Sequence, residues 1–328
     1  MSILADALRP FWLPGLNDVS GLQVKDISGW ICDEEFQVYS PVLQESFSLS
    51  YDSPLPLVRA YAAEVNRISI AAFETLTNIT PSIVFGKSTA WLVIKTYYAA
   101  FFAAHCLMRM VGVSCGPIGR FQTKSIDKIA TIYGFNQQSP RSGLYEFRFD
   151  RPNRQLTAKY LKGMAGGPHE TFWRLFHDQL DAFVPEILKS GTGTIEDQQA
   201  AVGKIGEILG NLSFGGAPKA NWLSTVRNTV NYNHGLSTWF PYRERTKYYD
   251  QLFLCVREWR QDPMNIDLSS HEGRDLRRFQ ATCNCILGLC RELAEDMASR
   301  CSTGKSFQEF GCMAFLNILN QPRSAERA

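Results

Sequence analysis

The sequence predicts a mainly α-helical protein: a helical bundle with a short β or irregular N-terminal arm, a basic insertion and extra C-terminal helices. Three observations predict this fold class. Apolar residues recur at helical spacing in long segments after residue 54. Before it, short alternating stretches are broken by Gly, Pro, Asp and Ser, as in strands or irregular structure. Hydrophobic residues make up 45% and charged residues 20% of the 328 residues, which is a globular composition.

These patterns divide the chain into three parts. Residues 1–53 form the arm, in which stretches such as EFQVYSPV and ESFSLSY predict strands or an irregular path. Residues 54–262 form the helical core. A basic insertion rich in Gly, Pro, Arg and aromatic residues interrupts this core at 113–168. Residues 263–328 form C-terminal helices that we expect to pack on the core.

Several helices have recognisable ends. The longest, TAWLVIKTYYAAFFAAHCLMRMV, follows an N-cap residue, Ser88, and stops at Gly112. Thr194 is the expected N-cap of EDQQAAVGKIGEILGNL. The other segments with helical spacing are LPLVRAYAAEVNRISIAAFETL, ETFWRLFHDQLDAFVPEILKS, NWLSTVRNTVNYNH, RERTKYYDQLFLCVREWRQ, RRFQATCNCILGLCRELAEDMASR and MAFLNILN.

Composition limits the classes of function. The net charge is +2, so any affinity for nucleic acid must come from local patches. No run of about 18 apolar residues lacks a charged or polar break, which predicts no transmembrane helix. The N-terminus lacks a basic start and a small-residue cleavage site, so we expect a cytoplasmic protein without a membrane partner.

The nine cysteines predict buried reduced thiols. The five between Cys283 and Cys312 lack the close pairs that present zinc from a turn, so we expect no metal site. Walker, GxGxxG, GxSxG and HExxH patterns are all absent from the sequence. The sequence therefore predicts no cofactor.

The stretch RNTVNYNHG, residues 227–235, carries the candidate chemistry. On a helix, Arg227, Asn231 and His234 lie within about 60° of one another over two turns. An imidazole that titrates near neutrality can transfer a proton. A guanidinium can hold a phosphate in its planar fork. These are the groups that cleavage of RNA beside a 2′-OH requires.

The spacing alone leaves a second interpretation open. In a chain of this composition, an Arg followed by a His after four to six residues is expected about once by chance. A solvated helix end with a capping His and a surface Arg therefore explains the spacing without any catalytic role.

A second motif favours the first interpretation. The helix KTYYAAFFAAHCLMRMVG together with RNTVNYNH resembles the HEPN superfamily of small helical bundles. HEPN first helices often carry a Tyr-Tyr-Ala-Ala-Phe run, here Tyr97 to Phe101. The HEPN signature is Arg, four to six residues and His, often with a polar residue after the Arg, here Arg227, Asn228 and His234. The resemblance covers residues 86–112 and 170–262, about a third of the chain.

The resemblance implies a metal-independent endoribonuclease of the toxin–antitoxin or anti-phage type, which cleaves RNA through 2′-OH attack. We expect His234 to transfer the proton, Arg227 to bind the phosphate, and Asn228 and Asn231 to orient the reacting groups. Such enzymes usually act as homodimers. The expected partners are therefore RNA, a second copy of the chain and an antitoxin or sensor protein. The alternative is a catalytically inactive helical module that binds RNA or a protein.

Lys95 and His105 are candidate accessory residues. They lie on one stripe of the long helix, which places them on the side of Tyr98 and Arg109. His105 can therefore face the same cleft as the motif. The alternative is a histidine that is satisfied in the core.

Residues 141–162 are a candidate RNA-binding segment. Six basic residues stand against two acidic ones, a local charge of +4 in a chain whose total is +2. Tyr145, Phe147, Phe149 and Tyr160 are interleaved with them, and aromatic faces can stack on unpaired bases. The alternative is a β-hairpin with ordinary surface arginines. The candidate RNA-binding residues are Arg141, Arg148, Arg151, Arg154, Lys159 and Lys162.

Overall fold

The structure is a computed structural model that describes residues 2–19, 25–77, 88–163, 167–217, 220–239, 245–268, 275–302 and 311–320. Over these ranges the protein is mainly helical with one antiparallel sheet, which confirms the mainly α class. The helices are α1 (Ile3–Leu8), α2 (Ile27–Cys32), α3 (Leu55–Thr77), α4 (Thr89–Met110), α5 (Arg120–Ile132), α6 (Gly167–Ser190), α7 (Ile195–Leu212), α8 (Trp222–Asn231), α9 (Arg245–Cys255), α10 (Asp275–Ser299) and α11 (Cys312–Asn320). The strands are β1 (Ser46–Ser50), β2 (Val113–Ile118), β3 (Gly143–Asp150) and β4 (Gln155–Tyr160).

Local signals determine the helix ends that the sequence predicted. The Ser88 hydroxyl accepts a hydrogen bond from the Trp91 N–H at the start of α4. Gly112, two residues after the end of α4, adopts a φ of 75°, a left-handed conformation that favours glycine. Thr194 and Asp197 form a reciprocal capping box at the start of α7. These three predicted ends are confirmed.

Helix α4 is the central element of the bundle. It packs against α3 and α10, and also contacts α6, α8 and α9. By length and apolar composition it is the one described helix that meets the criteria for a membrane span, but 67% of its apolar window is buried inside the protein. Such burial is typical of the core helix of a soluble protein. The central position of α4 brings residues from five other helices onto its surface.

The sheet joins the arm to the insertion. Its strand order is β1-β4-β3-β2, so β1 of the arm pairs with β4 of the insertion. The β-hairpin that was the alternative for residues 141–162 is present as β3 and β4. The arm also contains α1 and α2, where its sequence pattern predicted strands or irregular structure. Helix α1 docks on α10, since the Ser2 N–H donates to the Glu292 carboxylate at 2.8 Å.

The C-terminal cysteines are free thiols that fill the core around α10. Cys283, Cys285, Cys290 and Cys312 are buried and Cys301 is half-buried. Burial raises the pKa of the Cys283 thiol well above its usual value, which keeps it protonated. The prediction of buried reduced thiols is confirmed for the four buried residues.

Candidate functional site

Arg227 is enclosed by aromatic rings where α4, α6 and α8 meet. Its side chain is 5% exposed. The guanidinium carbon lies 5.1 Å from the ring centre of Tyr97, 5.8 Å from that of Tyr98 and 5.9 Å from that of Tyr232. We call these three tyrosines the tyrosine cage. Each cation–π contact stabilises the charge by about 0.5–2 kcal/mol, so the cage partly offsets the cost of removing it from water.

The caged guanidinium has no carboxylate partner among the described residues. Each of the ion pairs found there joins other side chains, such as the buried pair of Arg109 and Glu64. The Arg227 Nε is shielded from solvent and makes no hydrogen bond within the described part of the chain. Buried charges are ordinarily paired, because an isolated charge is costly in a low dielectric. Arg227 therefore retains an unused capacity to bind an anion.

His169, at the start of α6, contacts this cluster. Its Nδ1 lies 2.9 Å from the Tyr97 hydroxyl, and its ring centre lies 4.4 Å from that of Phe101. Burial and then the charge of Arg227 lower the pKa of His169 from its usual 6.5 to about 4. His169 is therefore neutral at neutral pH. The sequence interpretation did not include His169, because no motif links it to a segment 58 residues further along the chain.

Tyr97 connects the members of the cluster. The Trp173 indole N–H donates to the Tyr97 hydroxyl oxygen at 3.0 Å, and Nδ1 of His169 lies 2.9 Å from the same oxygen. Burial raises the pKa of Tyr97, so the phenol stays protonated. The ring of Tyr97 is fully buried.

The C-terminal end of the motif lies outside the helix, whereas the sequence predicted that it continues the helix. Helix α8 ends at Asn231, and His234 lies beyond it with a φ of 52°. The Gly235 N–H turns back to donate to the Thr229 carbonyl at 2.9 Å. A Cβ on Gly235 would approach the Thr229 Cγ2 to 2.6 Å, so this reversal requires glycine. The predicted common helix face of Arg227, Asn231 and His234 is therefore wrong for His234.

His234 is exposed and lies against a different part of α4. Its ring stacks on Trp239 with ring centres 5.6 Å apart, and Trp239 contacts Trp91 at 5.9 Å. The indole N–H of Trp239 donates to the Val230 carbonyl at 2.6 Å, which fixes this platform to the end of α8. Trp91 precedes Tyr97 by six residues, or about 9 Å along the helix axis. Arg227 and His234 therefore rest on different aromatic side chains.

The remaining predicted catalytic residues take different positions. Asn228 and Asn231 are half-buried on α8, and Lys95 is half-buried on α4. His105 lies flat on Phe172 with ring centres 3.5 Å apart and accepts a hydrogen bond from Arg109 at Nδ1. Burial, and then the charge of Arg109, lower the pKa of His105 well below its usual value.

Phe101 places His105 next to His169 rather than next to His234. The Phe101 ring centre lies 4.6 Å from that of His105 and 4.4 Å from that of His169. His105 therefore reaches this cluster through Phe101 and not through Arg227 or His234 themselves. Within the described residues, no group of three or more His, Cys, Asp or Glu side chains is arranged to hold a metal ion.

The basic segment divides into paired and unpaired side chains. Arg141 and Lys162 each lie 3.5 Å from the Glu45 carboxylate. Arg148 pairs with Glu146 and donates to the Gln179 amide oxygen at 2.9 Å. Three exposed cations contact no carboxylate in the part of the chain that the structure describes: Arg151, Arg154 and Lys159.

Three of the four aromatic residues of this segment face the interior. Tyr145 and Phe147 are buried in the core, and Phe149 packs on Tyr51. The prediction that the rings stack on unpaired bases is therefore wrong for these three, because alternation along β3 turns them to the inner face of the sheet. The charged side chains occupy the opposite face. Tyr160 is half-buried and lines a cleft.

A cleft of about 780 Å³ separates that polar face of the sheet from α6. Lys159 and Lys162 line it from the sheet side, and Arg174 lines it from α6. Arg174 is a further basic residue that the sequence interpretation missed, since it lies in a helix outside the segment. Neither Arg227 nor His234 lines this cleft.

Comparison with known proteins gives no relative for this arrangement. No protein-family model, curated protein or solved structure matches the chain significantly.

Proposed function

We propose that this protein is a metal-independent endoribonuclease with an HEPN-like bundle, in which Arg227 binds the phosphate that is cut. The observation that carries the proposal is the caged guanidinium without a carboxylate partner among the described residues. A planar, permanently charged donor suits a phosphodiester, whose two free oxygens match its fork. The Arg–His spacing and the Tyr-Tyr-Ala-Ala-Phe run of α4 support the proposal further, because both resemble HEPN domains.

The proposed reaction needs only the substrate's own nucleophile. The RNA 2′-oxygen forms a bond to phosphorus while its proton passes to the imidazole of His234. The bond from phosphorus to the 5′-oxygen breaks, and that oxygen takes up the proton from the imidazolium. Arg227 stabilises the charge on the phosphoryl oxygens, which grows in the transition state. The products carry a 2′,3′-cyclic phosphate and a 5′-hydroxyl.

Access to Arg227 requires a movement of the cage. Tyr97 is fully buried, whereas the Tyr232 side chain is 68% exposed at the end of α8. In the proposal, the incoming phosphate displaces the Tyr232 ring and reaches the Nε face of the guanidinium. Tyr97 keeps the arginine in place during this exchange.

In the proposal, a homodimer brings Arg227 and His234 together. Since the two side chains rest on different aromatic side chains within one chain, we propose that His234 of one protomer meets Arg227 of the other across a two-fold axis. Near His234, the ring of Trp91 is 54% exposed and suits such an interface. The proposal includes a cytoplasmic toxin or anti-phage effector, with an antitoxin or sensor protein as a further partner.

Incubation of the purified protein with RNA in excess EDTA tests the proposal. We expect discrete fragments ending in 2′,3′-cyclic phosphate and no cleavage of the same sequence as DNA, which lacks the nucleophile. His234→Ala should slow cleavage by about 10²–10⁴-fold with the fold intact. Cleavage that requires Mg²⁺ and also degrades DNA would contradict the proposal.

A specific observation favours the alternative, a catalytically inactive module that binds RNA or a protein. Arg227 is 5% exposed, and the ring of His234 rests on Trp239, outside the tyrosine cage. If the purified dimer binds RNA and leaves it intact under all conditions above, this alternative replaces the enzyme.

A further inference from the structure

Trp173, Tyr97 and His169 form a chain of hydrogen bonds that ends beside Arg227. An indole N–H can only donate, so the bond from Trp173 occupies one lone pair of the Tyr97 oxygen. The Tyr97 hydroxyl keeps its own proton, and His169 Nδ1, 2.9 Å from that oxygen, can accept it.

The direction of the bond between Tyr97 and His169 sets the tautomer of His169. A neutral imidazole that accepts the Tyr97 proton at Nδ1 carries its own proton at Nε2. The ring is held among Tyr97, Tyr98 and Phe101, with centres 5.8, 6.0 and 4.4 Å away. His169 is half-buried, so it keeps an exposed part at the margin of the tyrosine cage.

We propose that His169 is a catalytic residue that donates a neutral hydrogen bond from Nε2 to a phosphoryl oxygen of the RNA bound at Arg227. This inference rests on the proposed function and extends it, since the signature motif contains no such donor. A neutral donor stabilises the developing charge and transfers no proton in the reaction. The proton transfer remains with His234.

The position of His169 on α6 supports an anion beside it. His169 is the third residue of this 24-residue helix, where free backbone N–H groups and the helix dipole favour negative charge. The second, independent observation is the buried Arg227 Nε without a hydrogen-bond partner in the described residues. Together, the start of α6 with His169 and the Arg227 guanidinium on α8 provide donors from two helices to one phosphate.

Three substitutions on α6 separate this role from a structural one. His169→Ala should lower the single-turnover rate at saturating RNA by about 10²-fold, as the loss of one oxyanion donor does. His169→Gln places an amide N–H near the position of Nε2 and should recover most of the rate. His177→Ala, on the same helix and outside the cluster, should cleave like the wild type.

The pH profile and the tautomer provide the decisive readouts. The groups facing His169 are Arg227 on α8 and Tyr97, Tyr98 and His105 on α4. Since His169 does not ionise in the reaction, His169→Gln should leave the shape of the rate profile between about pH 5 and 9 unchanged. Loss of one limb of the profile would mean acid–base catalysis and would overturn the proposal.

Binding of all-2′-O-methyl RNA, which cannot be cleaved, separates this inference from the enzymatic proposal. In ¹⁵N NMR of the full-length protein, the protonated Nε2 of His169 should shift when this oligonucleotide binds. A shift in a protein that never cleaves RNA would retain His169 as a phosphate ligand and reject the enzyme. Saturating binding without a shift, or wild-type cleavage by His169→Ala, would overturn the inference.

Discussion

The two ends of RNTVNYNHG lie in opposite environments. Arg227 is buried among tyrosines from two helices, whereas His234 is exposed on a tryptophan platform beyond the end of α8. Spacing along an ideal helix predicted one site. Because α8 stops at Asn231 and the chain reverses at Gly235, the nine residues instead contribute to two surfaces. A motif read as a helix face is therefore reliable only as far as the helix extends.

Subunit complementation tests whether these two surfaces form one site between protomers. We expect Arg227→Ala and His234→Ala chains to be inactive alone and active when mixed. Mixed dimers make up half of an equal mixture and contain one site with both residues, so about a quarter of wild-type activity should return. RNA cleavage after subunit exchange is the measurement.

Two controls make the complementation decisive. Each variant mixed with itself should stay inactive, and differently tagged chains should confirm exchange by native mass spectrometry. If exchanged mixtures remain as inactive as the separate variants, Arg227 and His234 act within one chain, and a site shared between protomers is excluded.

The salt dependence of RNA binding separates affinity at the sheet from chemistry at the helix junction. Replacing the three unpaired cations Arg151, Arg154 and Lys159 by Ala should weaken binding. It should also flatten the slope of log affinity against log salt by about 2, since each phosphate contact on a single strand contributes about 0.7. The rate at saturating RNA should change little.

The paired cations provide the matched control. Arg141 and Lys162 share Glu45, so replacing both by Ala should change the salt slope less than replacing two of the unpaired residues. An unchanged slope in the triple variant would make the segment an ordinary hairpin surface.

The pH dependence of stability is expected to show the smallest effect, and it tests the buried environment around Arg227. Burial and Arg227 lower the pKa of His169 from 6.5 to about 4. Between these values the unfolded chain binds a proton that the folded chain lacks, so stability falls as pH drops through this window. His105, whose pKa is also lowered, adds to the same loss.

His169→Gln removes one of these two contributions. Its free energy of unfolding should fall less steeply than that of the wild type between pH 6.5 and 4.5, by under about 2 kcal/mol after allowance for partial exposure. Urea unfolding of both proteins at several pH values measures this. Equal slopes for the two proteins would place His169 in water.

What the sequence predicts correctly is mostly local. Ser88, Gly112 and Thr194 determine helix ends through contacts within a few residues, and Arg227 carries a motif. His169 contacts Tyr97 although 72 positions along the chain separate them, and the periodicity of neither segment predicts that contact. The chain reversal at Gly235 depends on packing against Thr229. Projection of the sequence onto an ideal helix therefore did not predict the position of His234.

The measurement that tests the central claim most directly is the single-turnover rate of RNA cleavage in EDTA by Arg227 variants. At saturating RNA, Arg227→Met should cleave about 10²–10³-fold more slowly than the wild type, with an unchanged profile of secondary structure by circular dichroism. Arg227→Lys should restore only part of this rate, because a point charge lacks the two-pronged geometry. Cleavage by Arg227→Met at the wild-type rate would show that the caged arginine only fills its tyrosine pocket, and would contradict the account.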